Sequence, residues 1–265
     1  MAVLVLVLTG LAAFDFAQAR EAGHYVLRPA SARSEAPRAQ APDKPNAPTD
    51  AQIKAEVERR LAELRPRPAL KVTVADATVT LTGTLPNAWA KHEVIDAARQ
   101  APGLKFVVSE IEIPRAETDA VLALEVGQEL LRSSVYTVYD DVTGGVRNGV
   151  VTLRGRVISP AGVERLGELA ARIRGVQAVN NEIREMPPSQ SDDRLRYDIA
   201  YGIYGDPMFL NLSMTLTPPI HVVVENGRVT LVGRVHTKNE KDRADLIAKL
   251  RAGASRVESK LQVDR

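Results

Sequence analysis

The sequence predicts an α+β protein in which one small α-β-β-α-β module is used three times in tandem. An eight-residue phrase recurs as TVTLTGTL at 78–85, VVTLRGRV at 150–157 and RVTLVGRV at 228–235. In each copy, a second glycine lies 20 residues after the glycine of the phrase. A turn dipeptide begins seven residues before the glycine of the phrase. Because chance does not place so many features at common offsets, we interpret the chain as a three-module repeat.

Composition limits the classes of function. The chain of 265 residues is 45% hydrophobic and 26% charged, as in an ordinary globular protein, and is long enough for one large domain or two to three small ones. It has no cysteine, which excludes disulfides, thiolate catalysis and cysteine-ligated zinc. The four histidines lack metal-ligand spacing, and the chain has no phosphate-loop motif. The sequence therefore predicts a non-enzymatic protein without a metal or another cofactor.

The N-terminal 49 residues are predicted to lie outside the repeat. Residues 1–19 resemble a signal peptide, since an apolar run over 2–13 precedes an A-x-A cleavage pattern at 17–19. No Lys or Arg precedes that run, so an uncleaved anchor is the alternative. Residues 20–49 contain five prolines and no helical or strand periodicity, which predicts a disordered Pro-rich tether. We therefore expect a periplasmic or cell-envelope-associated protein.

Each module is predicted to open with an amphipathic helix. In the first module, Ile53, Val57 and Leu61 recur at helical spacing. The predicted modules are 50–115, 119–188 and 192–265. The predicted opening helices are 50–64, 119–132 and 193–204, and the predicted second helices are 87–101, 160–174 and 238–251. A T-x-x-E capping box, Thr237 to Glu240, begins the last of them.

A β-hairpin follows the opening helix, and a third strand ends the module. The hairpin turns are predicted at Asn148-Gly149 and Asn226-Gly227, because Asn-Gly favours the positive φ that a type I′ turn needs at both central residues. Asp76-Ala77 stands at the corresponding offset in module 1. The predicted strands centre on Val72, Leu81, Val108, Val142, Leu153, Val179, Val222, Leu231 and Val257. Both helices are expected on one face of this three-stranded sheet.

Two sets of glycines are predicted to be structural. Strand alternation places the first set on the buried face, where a missing side chain lets a helix approach the sheet closely. Its members are Gly83, Gly155 and Gly233. The second set is expected to end the second helix of each module as a C-cap. Its members are Gly103, Gly175 and Gly253.

The pattern V-T-L-x-G-x-V, followed by a helix and by G-V-x-x-V-x-N-x-I, resembles the BON domain, a module of exported bacterial proteins. VVTLRGRV and RGVQAVNNEI of the second module match it closely, and the resemblance covers residues 50–265. It implies a non-enzymatic role in binding phospholipid or supporting envelope integrity. The signature residues are mostly scaffold, so the resemblance transfers no ligand-binding residue.

Places where one module departs from its siblings are candidate functional sites. Trp89 stands where the other modules have Ala161 and Asn239. An exposed Trp at a helix start suits a lipid or protein interface. The alternative is that Trp89 packs against its own module or the next one.

The third module also has six extra residues before its hairpin, in the stretch YGIYGDPMFLNL at 201–212. Tyr204, Met208 and Phe209 are predicted there as an apolar tip for a membrane interface. A loop that closes the small core is the alternative.

Charge adds a candidate surface on the third module, which has 12 basic and 10 acidic side chains, the most positive balance of the three. Strand parity places His221 and several cations on the outer face of its sheet. The predicted lipid- or partner-binding cations are Arg228, Arg234, Arg256 and Lys260. Anionic phospholipid attracts such residues at about 1 kcal/mol each near the membrane surface.

Three classes of function remain open from the sequence. The first is an exported module array that binds anionic phospholipid, with the third module dominating. The second is a structural adaptor that assembles envelope proteins through its tandem modules. The third is RNA binding, which the export signal, the scarce strand aromatics and the near-neutral charge disfavour, so no nucleic-acid partner is expected.

Overall fold

The computed structural model describes residues 47–115, 117–213 and 218–264. All of them belong to one compact unit, Ala47–Arg265. The predicted signal peptide and residues 20–46 of the predicted tether lie outside the described residues and stay predictions.

Each module folds as a helix, a hairpin, a second helix and a third strand, as the sequence predicts. Module 1 consists of α1 (Asp50–Glu63), β1 (Leu70–Ala75), β2 (Thr78–Thr84), α2 (Ala88–Arg99) and β3 (Phe106–Glu112). Module 2 consists of α3 (Asp119–Arg132), β4 (Asp141–Arg147), β5 (Val150–Val157), α4 (Pro160–Arg172) and β6 (Ala178–Glu185). Module 3 consists of α5 (Gln190–Tyr204), a 3₁₀ turn (Pro207–Phe209), α6 (Leu210–Ser213), β7 (Ile220–Glu225), β8 (Arg228–Val235), α7 (Lys238–Ala252), a second 3₁₀ turn (Ala254–Arg256), β9 (Val257–Ser259) and β10 (Gln262–Val263). Every predicted helix and strand centre corresponds to one of these elements.

The sheets share one topology. The hairpin strands pair antiparallel and the third strand pairs parallel to the second, which gives the orders β1-β2-β3 and β4-β5-β6. In module 3 the third strand is broken into β9 and β10, and both pair with β8. A parallel pair needs a crossover connection, and the second helix of each module supplies it. Each module has its own core, in which Leu81, Leu153 and Leu231 of the repeated phrase are completely buried.

The hairpin turns have the predicted conformation, and an acidic side chain holds each one. The central φ angles are 51° and 59° in Asp76-Ala77, 53° and 76° in Asn148-Gly149, and 53° and 72° in Asn226-Gly227. In every module a carboxylate of the opening helix accepts hydrogen bonds from both N–H groups of the turn. These carboxylates belong to Asp50, Asp119 and Asp192. The acid precedes the turn by 26, 29 and 34 residues in the three modules. Because these separations differ, comparing the modules at equal offsets from the repeated glycine does not reveal the contact.

The first set of glycines is structural for a reason other than the predicted one. A Cβ on Gly155 would lie 1.9 Å from the carbonyl oxygen of Asp141 on β4, and one on Gly233 would lie 1.9 Å from that of Pro219. Their φ angles, +142° and +119°, also favour glycine. Gly155 and Gly233 thus admit a neighbouring backbone, whereas a Cβ on Gly83 would first meet the Cδ2 of Leu70, at 2.7 Å. The predicted close approach of a helix is wrong.

The second set of glycines is also corrected in part. Gly253 is the C-cap of α7, with a φ of 85°. The helices of the other two modules end earlier, at Arg99 and Arg172, so Gly103 and Gly175 lie in the following turns at φ of 79° and 86°. The C-cap prediction is therefore confirmed for Gly253 and wrong for the other two.

Candidate functional site

The predicted basic face of module 3 carries carboxylates beside two of its cations. Arg228 and Arg234 are exposed on β8. Arg234 Nε lies 3.7 Å from a carboxylate oxygen of Asp264, and Lys260 Nζ lies 3.4 Å from one of Glu258. These exposed pairs reduce the local positive charge, so the predicted patch is weaker than strand parity alone indicates.

The middle of the same face is buried. His221, Val223 and Thr230 are 8%, 1% and 9% exposed, so the prediction of an outer-face His221 needs correction. Its Nδ1 lies 3.0 Å from the carbonyl oxygen of Thr137, and its ring centroid lies 5.1 Å from that of Tyr136. Burial lowers the pKa of His221. The imidazole therefore belongs to the junction between modules 2 and 3.

Glu225 fixes that junction from the end of β7. Its carboxylate accepts hydrogen bonds from Arg184 at 2.6 and 2.8 Å and from Arg156 at 3.2 Å. These bonds, those from Arg184 foremost, lower the pKa of Glu225 to about 2. The N–H of Val222 donates to the carbonyl oxygen of Val138 at 2.7 Å. The edge strand β7 is thus held by residues of module 2.

The extra segment of module 3 folds back on its core. Phe209 is completely buried. Tyr204 is half-buried, and its hydroxyl accepts from the N–H of Ile220 at 2.9 Å and donates to the carbonyl oxygen of the same residue. Burial raises the pKa of Tyr204. We therefore correct the prediction for Tyr204 and Phe209, which serve the core because the extra residues form a 3₁₀ turn against it.

Met208, by contrast, is 46% exposed on the outside of this turn. Asp206 holds the turn in place. Its Oδ1 accepts from the N–H of Met208 at 3.0 Å, and its Oδ2 accepts from Arg243 at 2.6 and 2.9 Å. The bonds from Arg243 lower the pKa of Asp206. Of the three predicted apolar contacts, Met208 remains accessible to a membrane.

Two tyrosines extend the exposed surface along α5. Tyr197 and Tyr201 are 60% and 69% exposed, and their rings stack with centroids 6.0 Å apart and an angle of 18°. The sequence prediction did not single out Tyr197. Its signal was the i,i+4 spacing to Tyr201 on the face opposite the buried Ile199 and Ile203.

Trp89 lies where modules 1 and 2 meet. It is half-buried, and the Cζ of Arg172 lies 4.2 Å from its ring centroid. Beside it, Asn87 Nδ2 donates to the carbonyl oxygen of Arg172 at 2.6 Å, and the N–H of Gly175 donates to that of Pro86 at 2.8 Å. The structure places Trp89 against the next module, which is the alternative the sequence left open. Its role in lipid binding stays a prediction.

Over residues 47–115, 117–213 and 218–264, no group of His, Asp and Glu side chains is arranged to hold a metal ion. Every helix in these ranges is too short or too polar to cross a bilayer. Apart from Tyr204 and Phe209, which belong to the core of module 3, the side chains described above lie on exposed faces and at module junctions. Fold and surface together define a tandem array of small α+β modules.

The family of this array is established by its sequence. The model of the BON domain matches residues 49–115, 118–187 and 213–265. The chain belongs to the BON domain family, and this membership indicates a role at the cell envelope. The third match begins after α5, so the helix with the stacked tyrosines lies outside it.

Comparison with other proteins adds little. No curated protein matches the chain. One solved structure that matches is the C-terminal domain of CdsD, the structural protein of the type III secretion system of Chlamydia trachomatis. It is 14% identical, with 80% of this chain and 96% of that chain covered and a TM-score of 0.24. A second structure of CdsD covers 79% and 91% at the same identity and TM-score.

Proposed function

We propose that this protein binds anionic phospholipid surfaces and thereby supports the integrity of the cell envelope, without catalysing a reaction. Membership of the BON domain family supports the envelope role. The predicted export signal at 1–19 agrees with it.

The observation that carries this proposal is the exposure of three side chains of module 3, Tyr197, Tyr201 and Met208, which together we call the aromatic surface. These side chains are 60%, 69% and 46% exposed. Tyrosine rings favour the level of the lipid headgroups, because the ring is apolar and the hydroxyl stays hydrated. Methionine adds a flexible apolar side chain that adapts to an irregular surface. The aromatic surface therefore suits shallow contact with a bilayer.

Electrostatic attraction would bring this surface to the membrane. Module 3 has the most positive balance of the three modules, and its exposed cations include Arg228. Attraction between exposed charges is screened beyond roughly 8 Å at physiological ionic strength. Binding should therefore require anionic lipid and weaken as salt is added.

Co-sedimentation with vesicles tests the proposal. Tyr201→Ser should lower binding to anionic vesicles about fivefold, since loss of the ring removes on the order of 1 kcal/mol of apolar contact. Leu124→Ser is the matched control, because Leu124 is 62% exposed on the opening helix of module 2 at the place of Tyr197. Equal binding to neutral vesicles would contradict the electrostatic part. Equal losses in the two variants would contradict the role of module 3.

A second candidate function is the structural adaptor. It is favoured by Phe106 and Val108, which are 68% and 44% exposed side by side on the edge strand β3 of module 1. An exposed edge strand with apolar side chains suits pairing with another protein. If the adaptor is the correct function, the chain should ignore vesicles of any charge, and Phe106→Ser should abolish its cross-linking to envelope proteins.

A further inference from the structure

Three arginines of module 3 converge on one open cleft between the start of α5 and the end of α7. Arg194 lies on α5, Arg251 on α7 and Arg256 in the 3₁₀ turn Ala254–Arg256. All three line the same cleft, which has a volume of about 670 Å³. We call it the arginine cleft.

None of these arginines forms an ion pair within the part of the chain that the structure describes. Most other arginines of module 3 do: Arg196 pairs with Asp193, Arg234 with Asp264 and Arg243 with Asp206. Unpaired guanidinium groups gathered in one concave site attract an anion and offer it several fork-shaped donors.

The fold does not require these arginines, because neither sibling module has a cation at any of the three positions. The opening helices align on the acids that hold the hairpin turns, and the second helices align on the following glycines. The residues in place of Arg194, Arg251 and Arg256 are Gln52, Ala101 and Phe106 in module 1, and Val121, Ile173 and Ala178 in module 2. The arginine cleft is a property of module 3 alone.

A glycine places one of the guanidinium groups. A Cβ on Gly202 of α5 would lie 2.3 Å from the Cζ of Arg251 and 2.5 Å from its Nη2. The guanidinium therefore rests directly on the α5 backbone, in space that any side chain would fill. Modules 1 and 2 have Arg60 and Glu129 at this position. A side chain at position 202 would therefore displace the Arg251 guanidinium from this place.

Two carboxylates also line the arginine cleft, and they differ in their effect. Asp192 is engaged, since its oxygens accept from the N–H groups of Asn226 and Gly227 at 2.8 and 2.9 Å. Asp198 is exposed, and no Lys or Arg nitrogen of the described chain lies within 4.0 Å of it. Its charge opposes an anion. The cleft thus favours a ligand with enough charge to outweigh Asp198.

We propose that the arginine cleft binds the dianionic phosphate of a phosphate monoester, with Arg194, Arg251 and Arg256 as donors. A monoester phosphate carries about −1.5 to −2 at pH 7 and has three acceptor oxygens, which suits three guanidinium groups better than a singly charged diester does. The monoester headgroup of phosphatidate and free inorganic phosphate share this chemistry. Where the ligand is a lipid, the inference rests on the proposed function.

Two measurements on the full chain separate these sources. The first is calorimetric titration with inorganic phosphate. The second is co-sedimentation with phosphatidylcholine vesicles that contain phosphatidate or, at equal surface charge, phosphatidylglycerol. A preference for phosphatidate identifies the lipid headgroup as the ligand. Binding of inorganic phosphate without a preference for phosphatidate identifies free phosphate as the ligand. If the chain both binds inorganic phosphate and prefers phosphatidate, the cleft recognises the phosphate group that the two ligands share.

The variants test the named residues. Arg251→Gln should lower the affinity about tenfold for the ligand that binds, inorganic phosphate or phosphatidate vesicles. This is the loss expected when a hydrogen bond between charged groups is removed. Lys249→Gln, an equal loss of charge on the exposed face of α7 outside the cleft, should change it less than twofold. Asp198→Asn should raise the affinity.

Gly202→Ala is the sharpest variant, because it displaces the Arg251 guanidinium and keeps every charge. It should lower the affinity severalfold while thermal stability is kept, since alanine suits a helix interior better than glycine does. The inference is overturned if Arg251→Gln and Gly202→Ala bind like the wild type, or if Arg251→Gln loses no more than Lys249→Gln.

Failure of the inference differs from failure of the proposed function. A chain that binds both anionic vesicles equally and ignores inorganic phosphate retains the function and refutes the arginine cleft. A chain that binds no vesicles refutes the function, and the phosphate titration then decides on the cleft.

Discussion

Replacing Gly155 by alanine should destabilise module 2 strongly. The new Cβ would lie 1.9 Å from the carbonyl oxygen of Asp141 and 2.9 Å from the Cα of Val142, so β4 would have to retreat. Overpacking of this kind costs about 1–3 kcal/mol, and a φ of +142° adds strain of about 1–3 kcal/mol for a residue with a Cβ. We expect a loss of about 3 kcal/mol or more.

Differential scanning calorimetry measures this loss. For a module of this size, the transition that includes module 2 should fall by roughly 10–20 °C. Gly145→Ala is the matched control on β4, because its Cβ would meet no atom within 4 Å, and it should change stability by about 0.5 kcal/mol at most. An unchanged transition for Gly155→Ala, or equal losses in both variants, would refute the close approach of the β4 backbone.

Three further predictions concern the junctions and the extra segment. The pKa of Glu225 falls from 4.5 to about 2 on folding, so its stabilising effect is fully present above pH 4.5 and is lost as the pH falls through about 2. Urea midpoints of the wild type and Glu225→Gln should therefore differ at pH 6 and converge at pH 2; a constant difference would exclude this ion-pair network. Phe209→Ala should lower the free energy of unfolding of module 3, measured in urea, by about 3–5 kcal/mol. Met208→Ala should leave stability unchanged and weaken vesicle binding. The reverse pattern would show that Met208 is the buried side chain. Arg172→Ala should shift the emission of Trp89, the only tryptophan, to longer wavelength because it exposes the ring to water, and an unchanged spectrum would contradict their contact.

Local chemistry made the fold predictable. The Asn-Gly dipeptides at 148–149 and 226–227 favour the positive φ of the hairpin turns, the Thr237 capping box starts α7, and alternation buries Leu231, so each of these elements could be placed from its own residues. Because the same cues recur three times, they also fixed the number of modules.

Contacts between distant residues were not predictable in the same way. Strand parity places His221 on an outer face, but whether that face meets water depends on residues of module 2 such as Tyr136 and Thr137. The six extra residues of module 3 and their apolar composition marked the segment 201–212. Neither cue distinguishes the buried Phe209 from the exposed Met208, because the 3₁₀ turn decides which side chain faces the core.

The sequence predicted only part of the candidate surfaces, because some of their residues meet through contacts between distant parts of the chain. Met208 was predicted, and Tyr197 could have been found from its i,i+4 spacing to Tyr201, whereas the meeting of Arg194 and Arg251 at one cleft depends on how α5 lies against α7. Comparing the three modules position by position reveals a residue unique to one module only where the equivalent positions are already known. The opening helices align through the acids that hold the turns, and the structure was needed to reveal those.

Hydroxyl-radical footprinting of the full chain shows whether module 3 presents the aromatic surface to membranes. Tyrosine and methionine side chains are labelled according to their exposure, so Tyr197, Tyr201 and Met208 each report on the surface. We expect anionic vesicles to reduce labelling at these three positions and to leave Phe106 and Leu124 unchanged, while neutral vesicles protect none of them. Protection of Phe106 or Leu124 in place of the aromatic surface, or no protection at all, would show that module 3 does not bind membranes through the aromatic surface.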